Sequence, residues 1–359
     1  MTSTIVTAST ATPDSTSQPS LTIVVVPRER FSYSQQSLES IYQHTQMPFE
    51  LVYVDGGSPM AVRNYLHQAA LERGFTLVRT EQFLAPNQAR NFGLSQVSTD
   101  YVLFIDNDVY ASNGWLENLW QCAQVTDAAV VCPLTCIGKP LHQKIHLAGG
   151  EARIFTELKR DNVRRRVHEK HYFVNRAVAD VQDQLQRRAC EFAEFHCMLV
   201  KRSVFEEIGP LDEKLLSTRE HIDFCLQINQ SSGQIYCEPS SVVSYVPDIL
   251  YRWSDLAFFM LRWSDDWEVK SLKHFRQKWN LDKDKYFKKR YQRLGHRRHY
   301  AFLRPLVRTL AWGRTIPWLE KLAIRLERQL NRIITERYES LYGDRLQTRP
   351  QEIMSKPSG

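Results

Sequence analysis

Residues 99–110 read TDYVLFIDNDVY. The five apolar residues from Tyr101 to Ile105 run straight into two carboxylates, Asp106 and Asp108, separated by Asn107. Such a run reads as a buried strand, and a buried strand should not end in two unneutralised charges. Side chains at i and i+2 of an extended chain point the same way, so both carboxylates can converge on one hard cation. Mg²⁺ or Mn²⁺ is held by one or two carboxylates plus the phosphate oxygens of a substrate. The bland alternative is a solvated loop, with Ser112-Asn113 capping the helix that follows.

The surrounding sequence repeats the same grammar. LTIVVV (21–26), FELVYV (49–54), FTLVRT (75–80), YVLFI (101–105) and AAVVCPL (128–134) are continuous apolar runs. Between them Val62, Tyr65, Leu66, Ala69 and Ala70 recur at helical spacing, and NQARNFGLSQ and NGWLENLWQCAQ read as further helices. Strand and helix alternate at roughly 25-residue intervals, which predicts a mainly parallel α/β sheet covered by helices on both faces. Ligands in such sheets bind beyond the carboxyl ends of the strands, where Asp55 and Asp106 both fall.

From Gly138 to Arg188 the pattern breaks, and KRDNVRRRVHEKHYF reads as a basic, aperiodic loop within an insertion over 138–190 on the acceptor side. His142, His146, His168 and His171 lie there without metal-ligand spacing and receive no role. Order returns with the strand FHCMLVKR, the helices RSVFEEIG and REHIDFCLQINQSSG, and the strand QIYCEPSSVVSY. Composition shifts beyond Pro247, so the expected domains are 21–247 and a basic, Trp-rich helical region over 248–345. The Ser/Thr/Pro-rich opening (1–20) and the last residues (346–359) read as disordered tails.

The chain has 359 residues, a net charge of +7 and 43% hydrophobic residues, the profile of a globular protein with a sizeable core. No apolar run reaches the roughly 18–20 residues of a membrane span. Seven cysteines, an odd number with no C-x-x-C pair, read as reduced thiols in a cytoplasmic chain. Trp115 and Trp120 read as core.

The ordered set of motifs resembles the family 2 glycosyltransferases, over about residues 20–247. IVVVPRER stands at the family's first strand and its Pro-Thr-Tyr-Asn, LVYVDGGSP at its second strand, QARNFGL beside the donor, and YVLFIDNDV at its Asp-x-Asp. MLVKRSVFEEIGPLDE and REHIDFCLQINQSSGQIYCEPSSVVSY match its later runs. The resemblance implies the GT-A fold, which binds nucleotide sugars, and transfer of a sugar to an acceptor hydroxyl with inversion, assisted by Mn²⁺ or Mg²⁺. It implies that Asp55 contacts the base and Asp106 the ribose side, with Pro27, Glu29, Arg90 and Asn91 on the donor. Asp108, with Asp106, would hold the metal.

Two positions depart from the family. His221 stands where the Asp of Glu-Asp-x-Asp, the usual catalytic base, is expected; Glu220 and Asp223 remain alternatives, at i and i+3 of one helix. Tyr245 stands where the family often has a His near the metal. UDP-sugars are the default donor, and the acceptor is a glycan, a lipid-linked sugar or a small molecule.

The C-terminal region repeats Arg-Trp-Ser-Asp, and Leu319, Leu322, Ile324, Leu326, Leu330, Ile333 and Ile334 supply an apolar helix face. A helical subdomain packed on the catalytic domain is the first reading; a basic helix lying on an anionic membrane surface is the second. Nucleic acid ranks last, since no recognised binding module accompanies the charge. Two other functions compete. One is a GT-A protein that has lost its base and acts as a scaffold. The other is an Asp-x-Asp phosphatase, which would need the motif on its first strand.

Overall fold

The computed structural model describes residues 21–159, 162–247, 252–342 and 352–354. The opening tail, the boundary at 248 and most of the closing tail lie outside the described residues. The first half alternates as expected: β1 (Leu21–Val26), α1 (Ser34–His44), β2 (Glu50–Gly56), α2 (Met60–Arg73), β3 (Thr76–Thr80), α3 (Pro86–Leu94) and β4 (Tyr101–Asp106). Next come β5 (Val109–Ala111), α4 (Trp115–Thr126), β6 (Val130–Ile137) and β7 (Ile145–Leu147). A hairpin of β8 (Gly150–Lys159) and β9 (Asn162–His171) follows, then α5 (Val178–Val181) and β10 (Arg188–Cys190).

The remaining sheet elements are β11 (Cys197–Lys201), α6 (Ser203–Ile208), α7 (Glu220–Gln230) and β12 (Ile235–Tyr245). The C-terminal helices are α8 (Trp253–Arg262), α9 (Asp265–Lys278), α10 (Lys285–Tyr291), α11 (His296–Arg298), α12 (Arg304–Leu310) and α13 (Pro317–Tyr342). Within the expected closing tail, β13 (Glu352–Met354) pairs with β3 at the sheet's edge.

The main sheet runs β10-β12-β6-β11-β4-β1-β2-β3-β13. β1 pairs in parallel with β2 and β4, β2 with β3, and β6 with β12, while β11 is inserted antiparallel between β4 and β6. Because side chains alternate across a strand, each apolar run feeds two cores. Ile23, Val25, Leu103 and Ile105 pack on the α1, α2 and α4 side; Val24, Val26, Val102 and Phe104 pack on the opposite side. Gly93 explains how α3 approaches so closely: a Cβ there would come within 2.2 Å of Val24 Cγ1. That contact seats Arg90, one turn earlier, over the end of β4.

Two expectations fail. The basic segment is no aperiodic loop: β8 and β9 pair throughout, with Arg153 opposite His168 and Glu157 opposite Arg164. Its cross-strand pairs are charged, such as Arg166 Nη1–Glu157 Oε2 at 3.0 Å and His168 Nε2–Glu151 Oε2 at 3.0 Å, which no hydrophobic alternation reveals. The apolar face of α13 points to solvent and not into the packed subdomain of the first reading. Glu327, Asn331 and Thr335 are buried, whereas Leu322, Leu326, Leu330 and Ile333 are exposed. Polar contacts turn the helix: Asn331 Nδ2 donates to Met260 O at 2.7 Å, and Glu327 Oε1 accepts from Arg298 Nε at 2.6 Å.

Candidate functional site

The cleft opens where β1 and β4 end side by side, with Val26 opposite Asp106. Asn107 fastens the chain after β1 to this edge: its Oδ1 accepts from Arg28 N at 3.1 Å, and its Nδ2 donates to Arg30 O at 2.8 Å. The segment Arg28-Glu29-Arg30 is therefore laid directly over the Asp-x-Asp.

Asp106 faces the cleft. Its Oδ1 accepts from Arg90 Nη2 at 3.3 Å, and its Oδ2 lies 3.2 Å from His196 Nδ1 and 3.7 Å from Arg28 Nε. Burial alone would raise its carboxyl, but the bond from His196 and the charge of Arg90 hold it below the usual range. Arg90 also stacks over Phe195, 4.1 Å from the ring centroid.

Asp108 does not open onto the cleft. It is 0% exposed, and its Oδ2 accepts from Arg30 Nε at 3.2 Å. Its Oδ1 has no hydrogen-bond partner among the described residues. Burial pushes this carboxyl up to about 6, against the pull of Arg30 and Arg28. Glu29 is the next link, accepting from Arg30 Nη2 at 2.9 Å, Tyr245 Oη at 2.6 Å, Arg297 Nη2 at 2.7 Å and Trp263 Nε1 at 2.8 Å. Asp108 and Tyr245, two of the three positions that the resemblance places around a metal, thus both belong to an ion-pair lattice built on Glu29, Arg30 and Arg297.

The other expected residues divide between the cleft and its scaffold. Pro27 is buried at the end of β1. Asp55 is the penultimate residue of β2, where it accepts from Ser58 N at 3.0 Å and Ser58 Oγ at 2.8 Å and is bridged by Arg79. Asn91 faces away from the cleft and grips Leu211 through both its amide atoms, at 2.9 and 3.0 Å.

Among the three base candidates, Glu220 and His221 line the cleft and Asp223 does not. Asp223 accepts from Trp279 Nε1 at 2.8 Å and Lys278 Nζ at 2.7 Å, on the side of α7 that packs against α9. The spacing that put Glu220 and Asp223 on one face gives way because α7 is wedged between cleft and α9. Glu220 Oε1 lies 3.3 Å from Arg262 Nη2, and its Oε2 has no hydrogen-bond partner among the described residues. Burial holds the His221 imidazole below its ordinary value, although Glu194 and Glu220 work in the opposite sense.

The cleft has a volume of about 240 Å³. Sequence reasoning missed Arg28 and Arg262, and with them a cluster of three: His146, dismissed with the basic insertion, and Glu194 and His196, which were not singled out. Their side chains meet on one wall, His146 Nε2 lying 2.9 Å and His196 Nε2 3.5 Å from Glu194 Oε2. The available signal was Glu194-Phe195-His196, a carboxylate and an imidazole at i and i+2 just before a strand.

Residues 22–209 match the family described as Glycosyl transferase family 2. The chain belongs to that family.

Among curated proteins, it is 24% identical to a pre-mycofactocin glycosyltransferase of Mycobacterium tuberculosis over 160 residues, 45% of this chain and 30% of that one. It is 23% identical to the succinoglycan biosynthesis protein ExoW of Rhizobium meliloti over 212 residues, 58% of this chain and 63% of that one. The matches therefore span less than two thirds of either relative's length. Among solved structures, the mannosyltransferase PcManGT from Pyrobaculum calidifontis, in complex with GDP-Man and Mn²⁺, superposes with a TM-score of 0.49 at 16% identity. That match covers 94% of this chain and 89% of the other. GalNAc-T7 with UDP, GalNAc and Mn²⁺ gives a TM-score of 0.48 at 15% identity, covering 79% of this chain and 57% of the other.

Proposed function

We propose that this family 2 protein transfers a sugar from a nucleotide-sugar donor, a UDP-sugar by default, to an acceptor hydroxyl with inversion. The acceptor is a glycan, a lipid-linked sugar or a small molecule. The observation that carries the reading is Asp106 at the end of β4, facing a cleft that Glu220 and His221 also line. Arg90 and Arg28 neutralise Asp106 and supply positive charge where a diphosphate would sit. Glu220 takes the acceptor proton: Arg262 steadies one of its oxygens, and the other has its lone pairs open. A divalent cation, when bound, would stabilise the charge growing on the leaving nucleotide. The test is release of nucleoside diphosphate from UDP-, GDP- and dTDP-sugars, with NMR of the product to give its anomeric configuration. Donor binding without release in any pairing would favour the scaffold reading, which the buried lattice at Asp108 and Tyr245 supports.

The C-terminal helices are read as a membrane-facing surface. No helix among the described residues is long and apolar enough to cross a membrane. α13 instead exposes Trp318 (67%), Leu326 (58%), Leu330 (53%) and Ile333 (60%) along one stripe. Lys321, Arg325, Arg328 and Arg332 are exposed along one flank of that stripe. Apolar stripe plus basic flank fits anionic headgroups, whereas a second copy would bring like charges together. The chain should sediment with vesicles containing phosphatidylserine but not with phosphatidylcholine alone, and Leu326→Glu should abolish this. Failure to sediment, or loss of a dimer in Leu326→Glu by light scattering, would overturn the membrane reading.

A further inference from the structure

His146 on β7, Glu194 and His196 bring two imidazoles and one carboxylate together, with one ligand-type atom of each within 4.8 Å of the others. Ligand atoms around one transition ion stand at about 2.0–2.2 Å from it, hence about 3–4 Å from one another. Small side-chain rotations close the remaining distance. The cluster borders the cleft, and Asp106 Oδ2, 3.2 Å from His196 Nδ1, is placed as the carboxylate that orients a ligating histidine from behind. Arg28 Nη1 contacts the same ring, 2.7 Å from Nδ1 and 3.0 Å from Nε2, so binding at Nε2 requires that guanidinium to turn aside.

The Asp-x-Asp does not fit a metal in this arrangement. Arg90 and Arg28 already neutralise Asp106, the guanidinium of Arg30 supplies the positive charge at Asp108, and Tyr245, the third metal-side position, holds Glu29. We propose that the chain binds its divalent cation through His146, Glu194 and His196, with an open position toward the cleft, and not through Asp108. Two nitrogens and one oxygen favour Mn²⁺, Co²⁺ or Zn²⁺ over Mg²⁺, which selects oxygen ligands. The ion's use in sugar transfer rests on the function proposed above; the binding site does not.

The experiment therefore reads metal binding alone. Full-length protein, stripped with chelator, is titrated with Co²⁺ by visible absorption and with Mn²⁺ by electron paramagnetic resonance. The expected result is saturable binding of one ion per chain, weakened at least about tenfold in His146→Ala and Glu194→Gln and unchanged in Asp108→Asn. Pulsed resonance of the wild-type Mn²⁺ complex should show nitrogen coupling from imidazole, a readout that needs no variant to fold. Absence of saturable binding, absence of nitrogen coupling, binding that survives both cluster variants, or weakening in a folded Asp108→Asn each overturns the proposal. A chain that binds metal here yet releases no nucleoside diphosphate would leave the site standing and remove the proposed function.

Discussion

Arg30 and Asp108 form an ion pair at 3.2 Å with side chains 1% and 0% exposed, and this pair occupies the second carboxylate of the Asp-x-Asp. Removing one member of a buried pair leaves the other charge uncompensated, at a cost of about 3–5 kcal/mol. Arg30→Met should therefore lose about that much stability at neutral pH in urea unfolding. The sign of its pH dependence follows from Asp108, whose carboxyl is already raised to about 6 by burial. Without the guanidinium it rises further, so at about pH 5 the folded state carries a proton and the bare charge is gone. The loss should shrink as pH falls. A loss independent of pH would mean that Arg30 contributes by packing rather than by charge.

Asp55 gives a second prediction. Burial pushes its carboxyl up, opposed by Arg79 and the two bonds from Ser58. Asp55→Asn keeps the shape but removes the charge that holds Arg79 and replaces one of the two oxygens available to the nucleobase with an NH2 donor. Affinity for free nucleoside diphosphate, measured by calorimetry without metal, should fall about tenfold. Unchanged affinity would take Asp55 out of the site.

These residues also mark how far the sequence reaches. The parallel sheet was legible because apolar runs and helical spacing are local signals, and Asp106 was legible because it ends one of those runs. What neutralises the two carboxylates was not: Arg30 lies 78 residues from Asp108, and Arg297 lies 268 from Glu29. The β8–β9 hairpin was hidden for a related reason, since charged cross-strand partners hold it rather than an apolar alternation. In α13 the periodicity shows an apolar face but not which way that face turns. Asn331 and Glu327 find partners that only tertiary placement supplies.

Glu169 ties that hairpin to the helices behind the cleft. It lies 2.9 Å from Arg219 Nη1 and 2.6 Å from Arg290 Nη2, and it accepts from Tyr286 Oη at 2.7 Å. Burial alone would raise its carboxyl, but the charge of Arg219, the bond from His171 and the charge of Arg290 hold it well below the usual range. A depressed carboxylate stabilises the fold above its unfolded value, and that contribution disappears as pH falls through the folded one. Glu169→Gln should lower stability by about 2 kcal/mol at neutral pH and flatten the fall of stability below about pH 4.5. Parallel curves for variant and wild type across the acid range would show that Glu169 is not a source of the acid sensitivity.

The last prediction separates the candidates for the base. Glu220 Oε2 lines the cleft without a hydrogen-bond partner among the described residues, while Asp223 is held by Trp279 and Lys278. Glu220→Gln should lower turnover by about 10²–10⁴ at saturating donor and acceptor. Asp223→Asn should leave turnover within about threefold but cost about 1–3 kcal/mol of stability, because the buried bond from Trp279 Nε1 and the partly buried one from Lys278 Nζ both lose a charged acceptor. His221 is distinguished by pH. Its imidazole sits below its ordinary value through burial, so a base at this position would give a rate that falls only as pH drops below about 6.5. Replacing it with Asp would move that fall lower still. With Glu220 as the base, His221→Ala and His221→Asp should both retain the wild-type pH profile. If His221→Ala abolishes turnover, Glu220→Gln does not, and His221→Asp shifts the acid limb, then the imidazole removes the proton and Glu220 only positions it.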